Sequence, residues 1–110
     1  MSFLKKGKKQ SMGKKGELPN WFVKNLWYLR KKEGGEVENP LNPSNKIGEK
    51  FYLNKEELSM YEFIMWVQWE FRYNQWCYSD EEKDKINDWF VLGLRWFRTT
   101  NPKMYMRLLD

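Results

Sequence analysis

The sequence predicts a small all-α domain of three to four helices, built on a central two-sided aromatic helix and preceded by a disordered basic tail. Three observations carry this. Two long stretches with helical periodicity each follow a capping motif, "NKEE" at 54–57 and "SDEE" at 79–82. Eight of the nineteen side chains in "MYEFIMWVQWEFRYNQWCY", residues 60–78, are aromatic. Residues 1–16, "MSFLKKGKKQSMGKKG", hold six lysines and no acid. The 110 residues leave room for one domain, predicted over 17–110. Burying a large apolar side chain is worth roughly 1.5–3 kcal/mol, so twenty Phe, Trp and Tyr residues supply a dense small core.

The tail, residues 1–16, carries almost all of the charge asymmetry. The remaining residues balance fourteen Lys or Arg against fifteen Asp or Glu, so the body is close to neutral. A basic arm on a neutral body points to polyanions, either nucleic acid or an anionic membrane surface, through Lys5, Lys6, Lys8, Lys9, Lys14 and Lys15. On a membrane surface Phe3 and Leu4 would add a shallow apolar toe-hold. No apolar run of signal-peptide type follows the first lysines.

Next, "LPNWFVKNLWYLRKK" predicts a first helix capped by Asn20, with Phe22, Leu26 and Leu29 recurring at spacings of four and three and the glycines Gly34 and Gly35 ending it. The rings of Trp21, Trp27 and Tyr28 also suit a strand. If helical, the segment gathers Trp21, Lys24, Tyr28, Lys31 and Lys32, rings for stacking bases beside lysines for phosphates. Residues 33–50 hold three glycines, two prolines and three asparagines, the composition of a long irregular connection. Val37, Leu41 and Ile47 are the residues that would pin it to the body.

The central helix is predicted over about 55–77, starting at Asn54 with Glu57 in a capping-box arrangement. Met60, Ile64, Val67, Phe71 and Tyr78 fall on one side, and Leu58, Met65, Trp69 and Trp76 nearly opposite. Two apolar rows describe a helix packed on both sides. Glu62, Gln68, Glu70, Arg72, Asn74 and Gln75 interrupt the apolar character, and a charge near a bilayer centre costs roughly 2.5–3.5 kcal/mol. The stretch does not read as a membrane span. The stripe between the rows carries Glu62, Trp66, Glu70 and Tyr73; a tryptophan ringed by polar groups is either covered locally or an anchor for a protein partner.

Ser79 with Glu82 opens the next helix, and Asp80, Glu81 and Glu82 suit the positive end of its dipole. Ile86, Phe90, Gly93 and Phe97 define its apolar face. Glycine in a helix interior costs roughly 0.8–1 kcal/mol against alanine, so Gly93 predicts close approach of another element. The short link at 78–80 predicts antiparallel return on the central helix. Asn101 followed by Pro102 starts a short last helix through Leu109.

Chemistry is sparse. The chain has no histidine, the commonest general base and metal ligand, and one cysteine, Cys77, which can form no internal disulfide. The carboxylate pairs Glu62/Glu70 and Asp84/Asp88 match ordinary solvated faces, and "EGGE" lacks the lysine and spacing of a phosphate loop. The expectation is a protein that is not an enzyme and uses no cofactor or metal.

Two segments, "EELSMYEFIM" and "DWFVLGLRWFRTTNPKMYMRLLD", resemble the ends of small uncharacterised proteins encoded by marine tailed phages, over about a third of the chain. The opening "MSFLKKGK" is similar to the start of some small phage DNA-associated proteins. The resemblance implies a setting, a phage product working in the cytoplasm of its bacterial host, and brings no activity with it. The function expected is that of a small accessory protein docking on another protein through Glu62, Trp66, Glu70 and Tyr73. The alternative is single-stranded DNA binding through the lysine tail with Trp21 and Tyr28.

Overall fold

The structure, a computed structural model, describes residues 16–38, 45, 46 and 48–109. Lys5, Lys6, Lys8, Lys9, Lys14 and Lys15, with Phe3 and Leu4, lie outside the described residues, as do Leu41 and Ile47.

The chain enters the fold at a buried proline. Pro19 is extended, with φ −69° and ψ 157°, and stands at the N-cap of α1 (Asn20–Asn25), its carbonyl accepting from the amides of Phe22 and Val23. Asn20 is therefore the first helical residue and not the cap. The helix stops after six residues, at Leu26, and a 3₁₀ turn over Trp27–Leu29 follows. Aromatic and β-branched residues in "WFV" and "WY" are mediocre helix formers, and no side-chain cap supports the start. The predicted long first helix is thus two short pieces. Phe22 and Leu26 reach the core and Leu29 packs at its edge, as expected.

The predicted irregular connection contains a strand, and the fold is mostly helical rather than all-α. β1 (Gly35–Val37) pairs antiparallel with β2 (Phe51–Leu53), matching Gly35 with Leu53, Glu36 with Tyr52 and Val37 with Phe51. The alternation expected of a half-buried ribbon holds: Leu53 is buried, Phe51 and Val37 half-buried, and Tyr52 and Glu36 exposed. Gly34 makes the approach possible, because a Cβ there would collide with the Leu53 carbonyl oxygen and lie 2.9 Å from Asn54 Cα.

α2 (Lys55–Tyr73) begins with the predicted capping box. Asn54 Oδ1 accepts from the Glu57 amide at 2.9 Å and Glu57 Oε1 accepts from the Asn54 amide at 3.1 Å. The helix is sunk into the body at its N-terminal end, where every residue from Glu57 to Tyr61 is buried. β2, the first 3₁₀ turn and α3 all pack against it. Further along, only Phe63, Ile64 and Val67 are buried. The predicted second apolar row is packed at Leu58 and half-buried at Met65, while Trp69 and Trp76 stand in solvent. Two-sidedness belongs to the first half of the helix. The helix also ends earlier than expected, at Asn74, before a second 3₁₀ turn at Gln75–Cys77.

α3 (Asp80–Thr100) has the capping box of Ser79 and Glu82, and α4 (Pro102–Leu108) starts with Asn101 as cap and proline at the first position. α3 runs antiparallel to α2. Residues late in α3 meet residues early in α2: a Cβ on Gly93 would lie 3.0 Å from Met60 Sδ, and Asn101 Nδ2 donates to Glu57 Oε2 at 2.9 Å. Gly93 marks the close approach its position predicts. Trp96 is buried and donates from Nε1 to the Glu17 carbonyl at 2.7 Å, tying the chain's entry to α3. The same core holds Phe22, Leu53, Met60, Phe63, Ile64, Val67, Phe97 and Leu108. No helix among the described residues is long and apolar enough to cross a membrane.

Candidate functional site

The four residues of the polar stripe lie along one face of α2, but their side chains engage different partners. Glu62 pairs with Lys31 Nζ at 2.7 Å, a partly exposed bridge that joins α2 to the segment after the first 3₁₀ turn. Trp66 is 41% exposed, with its indole near-parallel to the Phe63 ring at 6.4 Å between centroids. Glu70 turns the other way, accepting from Asn74 Nδ2 at 3.0 Å and from the Tyr78 hydroxyl. Its carboxylate holds the second 3₁₀ turn against the end of α2. The Tyr78 phenol is pushed up to about 12, first by that hydrogen bond and then by desolvation.

Tyr73 belongs to a different neighbourhood. Its ring lies 4.4 Å from that of Trp69, and Met65, Gln68, Trp69, Arg72 and Tyr73 line a shallow groove on the outer flank of α2. Trp69 is 61% exposed, and Trp76, on the second 3₁₀ turn, is 75% exposed. The Trp69–Tyr73 pair is the aromatic surface left open on α2 itself, and Trp76 does not line its groove. The apolar row containing Trp69 and Trp76 was readable in the sequence, but its solvent exposure depends on what fails to cover it.

The second constellation is also redistributed. Trp21 is half-buried, near-parallel to Trp89 at 6.3 Å and tilted against Phe63 at 6.0 Å, so it is engaged in packing. Lys24 is exposed on α1 and does not line the other cations' cleft. Tyr28, Lys31 and Lys32 do come together, joined by Trp27, Arg30 and Lys55, around an open cleft of about 500 Å³. Trp27 and Tyr28 are 66% and 64% exposed, their rings perpendicular at 6.1 Å. Leu26 and Leu29 face inward, and in a turn of three residues that leaves positions 27 and 28 facing out.

A buried serine assembles this cleft. Ser59 Oγ accepts from the Lys31 amide at 2.8 Å and donates to the Lys55 carbonyl at 2.6 Å. The loop bearing Arg30–Lys32 is thereby fastened to the first turn of α2, which bears Lys55. Among the described residues, no three His, Cys, Asp or Glu side chains are grouped so as to hold a metal ion, and Cys77 is an exposed free thiol. No protein-family model, curated protein or solved structure matches the chain.

Proposed function

We propose that this chain is a small non-catalytic accessory protein of phage type, working in the cytoplasm of a bacterial host by docking on another protein. The observation that supports this reading is the open aromatic flank of α2, where Trp69 and Tyr73 remain in solvent beside half-buried Met65. Exposed rings rimmed by polar side chains, here Gln68 and Arg72, have the composition of an interface centre. The flank takes over the anchoring role expected of Trp66, which leans on Phe63. Tyr73 is the one residue common to the expected and the proposed surface. Glu62 and Glu70 serve as local fasteners, through Lys31 and through Tyr78 and Asn74. The lack of any histidine supports the non-catalytic reading.

Photo-cross-linking tests the placement. A benzophenone side chain introduced at position 73 is expected to give a discrete protein adduct in phage-infected cells. The same group at exposed position 103, on α4, is expected to give none. Equal labelling from the two positions would remove the flank from the proposal.

A further inference from the structure

We infer that the cleft bordered by Trp27, Tyr28, Arg30, Lys32 and Lys55 binds single-stranded nucleic acid, with bases stacked on the two rings and phosphates against the three cations. The site is distinct from the aromatic flank of α2 and is made by residues of the folded body. Its parts match that ligand one by one. A single strand offers flat, unstacked bases, and two neighbouring rings stand in solvent on the first 3₁₀ turn. It also offers a phosphate for each base. Among the described residues, Arg30, Lys32 and Lys55 make no ion pair, whereas Lys31 is committed to Glu62. The cations are not randomly placed, because the Ser59 bridge fixes the backbone of the loop to that of α2 at Lys55.

Charge alone would suit an acidic peptide equally, but a peptide has no need of two adjacent open rings. A duplex would satisfy the cations and leave the rings idle, since its bases are stacked on one another. The two observations together select the single strand. Uridine and thymidine oligomers share the required chemistry, so both are probes.

The full chain is titrated by fluorescence anisotropy with labelled oligo-dT, oligo-U, a duplex of the same length, and vesicles containing phosphatidylserine, at two salt concentrations. Single strands are expected to bind more tightly than duplex. The double variant Trp27→Ala/Tyr28→Ala is expected to lose about 10-fold or more in affinity, in line with stacking contributions per base. Its circular dichroism should be unchanged, because both rings are exposed. The variant Lys32→Gln/Lys55→Gln should flatten the log–log salt dependence by about 0.7 for each phosphate that is no longer neutralised. It keeps the rings, so it tests the cleft even if the ring variant misfolds. Oligo-dU, which differs from oligo-U only in lacking the 2′-hydroxyl, separates RNA from DNA: preference for oligo-U would identify RNA as the ligand, and the reverse DNA. Unchanged affinity in both variants would overturn the inference by assigning all binding to lysines elsewhere. Equal affinity for duplex, or ring-dependent binding to vesicles without binding to either oligomer, would overturn it as well.

Discussion

The amide of Lys31 donates to Ser59 Oγ at 2.8 Å, across 28 residues of sequence. Ser59 is buried within α2 and also donates to the Lys55 carbonyl one turn back, so its hydroxyl uses its donor and one acceptor position. Ser59→Ala leaves the Lys31 amide without its partner. The expected cost is about 0.5–1.5 kcal/mol, the net worth of a hydrogen bond at a partly buried site, read as a lower urea midpoint with unchanged slope. A change below a few tenths would mean that water replaces the hydroxyl freely.

Gly34 and Gly93 are both close-approach glycines, and they should respond differently to substitution. At Gly34 the obstacles to a Cβ include the Leu53 carbonyl and Asn54 Cα, which are backbone atoms of the strand and the α2 cap. Gly34→Ala should therefore destabilise by about 1–3 kcal/mol, as overpacking does. At Gly93 the nearest atom is Met60 Sδ, on a flexible side chain. Gly93→Ala should be close to neutral, its gain in helix propensity offsetting the small displacement, while Gly93→Leu should cost as much as Gly34→Ala. Thermal unfolding of the three variants decides it, and a neutral leucine variant would displace the α2–α3 packing described above.

Glu57 is asked to do two things at once. One oxygen completes the capping box at Asn54 and the other accepts from Asn101 at the α3–α4 junction. An ordinary capping residue contributes about 0.5–2 kcal/mol. Glu57→Ala should cost more than Glu82→Ala, because the Glu82 box is exposed and has no such second bond. Equal losses from the two would show that the Asn101 bond adds nothing.

Tyr78 gives the fold an alkaline signature. Its hydrogen bond to Glu70 holds the phenol protonated, with the pKa raised to about 12. The folded protein thus binds this proton more tightly than the unfolded chain, whose tyrosines titrate at about 10. The stabilisation from the bond is complete below pH 10 and is lost as pH rises through about 12. The stability difference between the parent and Tyr78→Phe should shrink over that interval. A difference independent of pH would leave the hydroxyl without a role.

The parts of this fold legible in the sequence are those fixed by near neighbours. Asn54 with Glu57, Ser79 with Glu82 and Asn101 with Pro102 each act within three residues, and all three starts lie where their caps require. Gly93 was legible from the apolar face it interrupts. The ribbon was not, because three-residue strands are too short for alternation to register and their partners are brought together by a connection of thirteen residues. The cleft was half legible, for a phase reason. A continuous helix over 20–32 would align Trp21 with Tyr28, but the break at Leu26 resets the phase, sending Trp21 into the packing and Trp27 into solvent. The burial of Glu57–Tyr61 on every side, and the exposure of Trp69 and Trp76, depend on which elements wrap which half of α2.

Docking through the α2 flank is tested most directly by affinity capture from phage-infected bacterial lysate, comparing the parent chain with Trp69→Ala/Tyr73→Ala and titrating the purified captured protein by calorimetry. Both rings are exposed, so the variant should keep the parent's thermal midpoint to within a few degrees. One protein should be retained by the parent and lost by the variant, with Kd raised about 30-fold or more, as truncation of aromatic anchors produces. Retention of the same proteins by both chains, or of none by the parent, would rule out docking through this flank.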